Sequence, residues 1–124
     1  MIKITIQEVA EKYDLSKDTL RYYEKEGLVG PIGKNKSGSR EYQEADLERI
    51  EFVKCMRSAG LSIAILKDYI KLYEEGEQTK EARLKLLEKE RELLKEKIDY
   101  MEDAYKKLNY KIKLYKENML LHLK

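Results

Sequence analysis

The stretch 16–30, SKDTLRYYEKEGLVG, crowds Lys17, Arg21, Tyr22 and Lys25 together with the hydroxyls of Ser16 and Thr19. These residue types share one competence. Arg and Lys neutralise phosphate charge, and a Tyr hydroxyl donates to a phosphate oxygen while its ring packs on protein. Residues 29–42, VGPIGKNKSGSREY, add Lys34, Lys36 and Arg40, so residues 16–40 carry six Lys/Arg against three acids. That local excess permits phosphate binding on a chain whose net charge is only +2. The plain alternative is a small capped helix with solvated charges. Other chemistry is sparse: one Cys (Cys55), one His (His122) and no Trp. There is no Gly-rich phosphate cradle and no paired Cys/His spacing, so no enzyme, metal site or cofactor is expected.

Short helices must position these groups. Thr5-Ile6-Gln7-Glu8 is a capping box, with Ile4 and Val9 placed as a hydrophobic staple, and it opens a helix over about residues 6–12. Asp14-Leu15 forms a tight connection. Ser16 caps a second helix that carries Leu20 and Tyr23 on one face and stops at Gly27. Two short helices so joined suggest a helix-turn-helix, whose second helix enters a DNA major groove and reads base edges from its first turn. Ser16, Lys17, Asp18 and Thr19 occupy that turn, and Arg21, Tyr22 and Lys25 lie where phosphates would run. Residues 29–42 read as a loop or a small β-hairpin turning near Asn35–Ser39. A helical period returns over Ala45–Ala59 through Leu47, Ile50, Val53 and Met56, and Gly60 ends it. Ser62 caps a further helix with Ile63, Leu66, Ile70 and Tyr73 on its apolar face, stopped by Gly76.

Thr79 opens the longest segment. Leu84, Leu87, Leu94, Ile98, Met101, Tyr105, Leu108, Ile112, Tyr115 and Met119 recur in steps of three and four, with Arg91 the one polar residue on the seam. This heptad pattern predicts a coiled coil of about 35 residues, a rod of roughly 50 Å. A head of this size cannot cover such a rod, so the seam needs a partner, most simply a second copy. The apolar tail Met119–Leu123 is expected to pack, and His122 to serve packing or surface. The layout is a head over 1–76 and a dimerisation segment over 77–124. A lone cysteine fits a reducing compartment. No apolar run reaches the roughly 18–20 residues of a membrane span, and MIKITIQEVAEKY is too polar for a signal peptide. A cytoplasmic protein without membrane partners is expected.

In order and wording, TIQEVAEKYDLSKDTLRYYEKEGLVGP followed by SGSREYQEADLERIEFVKCMRSAGLSI resembles the DNA-binding domain of the MerR family of transcriptional regulators. LRYYEKEGL, the R-x-Y of Arg40-Glu41-Tyr42 and the R-x-A-G-L after the third helix carry the resemblance, which covers about residues 1–75. It implies a mostly α fold: a winged helix-turn-helix head and a long dimerisation helix forming an antiparallel coiled coil. It also implies a homodimer that binds a pseudo-palindromic operator in double-stranded promoter DNA. Distorting that DNA would then help RNA polymerase indirectly. By position, Thr5, Ser16, Lys17, Thr19, Arg21 and Tyr22 would be helix-turn-helix contacts, and Lys34, Lys36, Arg40 and Tyr42 wing contacts. Leu84, Leu87, Leu94, Ile98, Met101, Tyr105, Leu108 and Ile112 would form the dimer seam.

FVKCMRSAGL, around Cys55, is similar to a short thiol-sensing branch of that family that responds to aldehydes and other electrophiles. Lys54 and Arg57 are near in sequence, although helix neighbours one and two apart do not face each other. The alternative is a small buried hydrophobe between Phe52 and Met56. A second reading of the whole chain also stands: a structural or adaptor coiled coil whose small head binds protein.

Overall fold

A computed structural model describes residues 4–122, with side chains through Leu120. The Leu121, His122 and Leu123 side chains of the apolar tail lie outside the described residues. Contacts divide the chain into two compact units, one ending at Leu84 and the other beginning at Lys85.

The first unit starts with β1 (Ile4–Thr5), α1 (Ile6–Tyr13) and α2 (Lys17–Lys25). Thr5 caps α1 as the sequence predicts: its hydroxyl oxygen accepts from the Glu8 amide at 3.2 Å, and the Glu8 carboxylate accepts from the Thr5 amide at 3.0 Å. Asp14 ends α1 in the left-handed region at φ 52 and turns the chain into Ser16, the cap of α2. The adjacent tyrosines divide by helical period. Tyr23, three residues after Leu20, is buried at 6% exposure, whereas Tyr22 is 45% exposed.

Residues 29–42 form a hairpin of β2 (Gly33–Lys34) and β3 (Arg40–Tyr42). Asn35 organises its turn, with the side-chain oxygen accepting from the Ser37 and Ser39 amides at 2.9 and 3.0 Å. Gly38 sits there at φ 82, a conformation glycine adopts without steric cost. The sequence did not reveal that β1 is the third strand. It pairs antiparallel with β3, Ile4 opposite Tyr42, and gives the sheet order β1-β3-β2.

Helices α3 (Glu44–Ser58) and α4 (Ile63–Glu75) complete the core. Val9, Leu20, Leu28, Tyr42, Ile50, Val53 and Leu66 are its most enclosed members, and among the described residues the buried apolar side chains all fall between Val9 and Ile70. Ser62 caps α4 as expected, accepting from the Ile65 amide at 3.1 Å. One expectation fails: Tyr73, assigned to the apolar face, is 53% exposed. The guanidinium groups of Arg49 and Arg83 approach its ring at 5.6 and 5.2 Å. Cation–π contact suits an aromatic on a wet surface.

A 3-10 turn over Glu77–Thr79 leads into α5 (Lys80–His122). Buried Thr79 closes that turn. Its hydroxyl donates to the Leu72 carbonyl at 2.6 Å, with the Gly76 carbonyl 2.8 Å away, and accepts from Arg83 Nε at 3.0 Å. In the second unit Leu87 and Leu94 of the seam are half-buried, whereas Met101, Tyr105 and Leu108 each expose about two thirds of their surface. No helix among the described residues is long and apolar enough to cross a membrane.

Candidate nucleic-acid interface

The first turn of α2 presents Ser16, Lys17 and Asp18 to solvent, with Thr19 half-buried. Ser16 Oγ accepts from the Thr19 amide at 3.0 Å and donates to Thr19 Oγ1 at 2.8 Å, which fixes both hydroxyls at the helix entrance. Backbone amides at a helix N-terminus favour anions, so this capped end supplies donors as well as side chains. Arg21 and Tyr22 follow on the exposed side, with Arg21 paired to Asp18 at 3.2 Å. That exposed ion pair is a weak contact that a phosphate can displace. Thr5 is exposed, but its hydroxyl also donates to Glu8, at 3.1 Å.

On the hairpin, Lys34 and Lys36 are exposed. Arg40 is held differently. Its Nε donates to Glu24 Oε1, in the last turn of α2, at 2.7 Å, and the two side chains are only 28% and 20% exposed. The Glu24 hydrogen bond raises the Arg40 pKa further, so the guanidinium stays charged. Tyr42, two residues along β3, is 1% exposed, and its hydroxyl is enclosed without a hydrogen-bond partner among the described residues. Burial pushes that phenol's pKa up, and Glu24 and Asp46 add to the shift while Arg40 and Arg21 oppose it. In this conformation the Tyr42 ring packs in the core and its hydroxyl does not reach solvent.

Cys55 is exposed on α3, which overturns its reading as a buried hydrophobe. The neighbouring cations are engaged elsewhere. Lys54 Nζ donates to the Tyr13 carbonyl at the end of α1, and Arg57 Nη1 donates to the Leu61 carbonyl at 2.9 Å. Lys54 therefore ties α3 to the helix-turn-helix. Sequence reasoning missed that tie and also the Glu24–Arg40 pair; Glu24 stood in the quoted stretch but counted only as a negative charge. Among the described residues no group of three or more His, Cys, Asp or Glu is arranged to hold a metal ion.

Comparison with known proteins agrees with this geometry. The family model described as MerR HTH family regulatory protein matches residues 4–73, and a second, described as MerR, DNA binding, matches residues 47–110. The HTH-type transcriptional regulator AdhR of Bacillus subtilis is 48% identical over 91 residues, which span 73% of this chain and 65% of that relative. A crystal structure assigned as a MerR family transcriptional regulator from Listeria monocytogenes has 49% identity and a TM-score of 0.83, covering 90% of this chain and 85% of the other. HiNmlR, a MerR family regulator lacking the sensor domain and bound to promoter DNA, has 30% identity and a TM-score of 0.83, covering 94% and 92%. The chain belongs to the MerR family of helix-turn-helix regulatory proteins.

Proposed function

We propose that this chain is a homodimeric, cytoplasmic transcription regulator. It binds a pseudo-palindromic operator in promoter DNA and distorts that DNA, acting on RNA polymerase indirectly and without a cofactor. The observation that carries the reading is the join between a capped helix α2, exposed at its first turn, and a lysine-bearing hairpin whose Arg40 is bonded to that helix at 2.7 Å. HiNmlR, of the same fold, is bound to promoter DNA. Residues 1–76 form the DNA-binding part and residues 77–124 the dimerisation part. The contacts are Thr5, Ser16, Lys17, Thr19, Arg21 and Tyr22 from the helices and Lys34, Lys36, Arg40 and Tyr42 from the wing, with Tyr42 acting through packing unless its strand shifts on DNA.

The dimer forms along the seam of α5 in the antiparallel orientation that the family resemblance implies, and side-chain chemistry supports that orientation. Parallel pairing would set Arg91 against its own copy inside the seam, a like-charge layer. Antiparallel pairing centred between Asp99 and Tyr100 sets Arg91 opposite the partner's Leu108, Leu94 opposite the partner's Tyr105 and Ile98 opposite the partner's Met101. Charge agrees. Residues 104–120 hold five lysines and one acid, whereas residues 85–103 hold five bases and seven acids. Head-to-tail pairing lays the basic half on the acidic half and brings Glu90 to the partner's Lys111.

A response to aldehydes or other electrophiles through Cys55 belongs to the same reading and is supported by the exposure of that thiol. The test is titration of the purified protein with DNA from upstream of its own gene and with a random-sequence pool, at near-physiological salt. Enrichment of an inverted repeat is expected, and a steep fall in affinity with salt. No selective binding to either would refute the regulator reading and favour an adaptor. A Cys55→Ser chain that keeps full electrophile response in a promoter reporter would remove Cys55 from it.

A further inference from the structure

We propose that Glu24 is a positioning residue for DNA binding, which fixes the Arg40 side chain before DNA arrives and leaves its terminal nitrogens to take a phosphate. The proposal rests on the DNA-binding reading above. A guanidinium has five N–H donors, and Glu24 accepts from one of them, at Nε. The four N–H groups on Nη1 and Nη2 form the edge that matches phosphate oxygens in a fork. A free arginine loses rotamer freedom when it docks. Here that loss falls on folding, since the bond to Glu24 crosses 16 residues of sequence and is half-buried on both sides.

The location of the pair adds a second effect. Glu24 is on α2 and Arg40 is on β3, so one bond sets the root of the wing against the helix assigned to the major groove. Arg40 and Tyr42 occupy the same face of β3 by strand alternation, and the Tyr42 ring is locked in the core beside them. The strand at the base of Arg40 is thereby anchored, and Glu24 anchors the far end of the side chain. A carboxylate this near a phosphate surface also repels DNA. Its two effects oppose each other, and the positioning effect is the larger one for selective binding.

The experiment compares wild type, Glu24→Ala, Glu24→Gln, Arg40→Ala and the double Glu24→Ala/Arg40→Ala, all in the full chain. The probes are a duplex enriched by the wild type from random sequence and an unselected duplex of equal length. Glu24→Ala is expected to bind the selected duplex about tenfold more weakly, the size of one charge-assisted contact. Its salt slope should fall by about one, as for Arg40→Ala. Glu24→Gln keeps the acceptor oxygen and should stay within about threefold of wild type. Glu24→Ala should weaken the Arg40→Ala chain no further, because a positioning residue without its client has nothing to lose. If Glu24→Ala binds as tightly as wild type or more tightly with an unchanged slope, while Arg40→Ala is weak, the positioning role is overturned and the DNA reading survives. If the wild type enriches no duplex, both fall. Melting curves identify a variant that has lost its fold, and Glu24→Gln then decides: a tenfold loss in a folded Glu24→Gln chain would count against the role.

Discussion

Mixing two charge-reversed chains tests the proposed pairing of α5 most directly. Glu90 flanks the seam half-buried, and Lys111 flanks it exposed. In the antiparallel register each Glu90 meets the partner's Lys111, so a dimer holds two such contacts. Glu90→Lys alone turns both into lysine pairs, and Lys111→Glu alone turns both into carboxylate pairs. Exposed pairs of this kind are worth about 0.3–0.5 kcal/mol, and like charges cost a similar amount. Either variant alone should therefore dimerise about 1–2 kcal/mol more weakly than wild type, roughly five- to thirtyfold. A mixed dimer restores both attractions. Exchange between two homodimers and two mixed dimers then favours mixing by about 2–4 kcal/mol, which lifts the mixed fraction from the statistical half to about 85% or more. Native mass spectrometry of an equimolar mixture, with one chain mass-tagged, reads that fraction, and the preference should fade as salt screens the pairs. A parallel coil predicts something else. Lys111 would then face the partner's Lys116, so Lys111→Glu would tighten its own homodimer. A tighter Lys111→Glu homodimer with no preference for mixing would refute the antiparallel register.

Two further outcomes follow from burial. Replacing both Ile98 and Met101 with Asp puts facing carboxylates at the centre of the seam and removes four apolar side chains from the dimer, each worth about 1.5–3 kcal/mol when covered. Sedimentation should find monomers whose head melts normally, and a surviving dimer would place the seam elsewhere. Tyr42→Phe deletes an enclosed hydroxyl with no partner among the described residues, so stability near neutral pH should hold or rise by about 1 kcal/mol. Burial raises the folded pKa above the ordinary value of 10.0, so the neutral phenol's contribution is complete below that value and is lost as pH rises through the folded pKa. Thermal melts across that alkaline range should show a loss of stability that Tyr42→Phe lacks, and a clear drop at neutral pH would mean the hydroxyl is bonded.

What the sequence revealed and what it concealed divide by distance along the chain. The caps at Thr5, Ser16 and Ser62 were legible because each joins groups three residues apart, and each stands in the structure. The separation of Tyr22 from Tyr23 was legible because one residue is 100° of helix. The same geometry exposes an error at Cys55. Two residues beyond buried Val53 is about 200° around the helix, so the thiol faces away from the core, and grouping it with Phe52 and Met56 set it on the wrong side. Tyr73 fell on the expected stripe, but period assigns a face and not a depth, and where the core ends the ring stays exposed beside cations from α3 and α5. Contacts between distant residues left no local mark. Strand β1 is two residues long and pairs with β3 across nearly forty residues, too short to show alternation. The Glu24–Arg40 bond shows the cost of that blindness for the candidate site. Counting charges along residues 16–40 subtracts Glu24 from the surface that meets phosphate. In the fold the same carboxylate accepts a 2.7 Å hydrogen bond from the arginine assigned to the wing, and in the role proposed for it holds that arginine in place. Net local charge is thus a poor guide to this interface, because it cannot distinguish an acid that competes for DNA's place from one that prepares it.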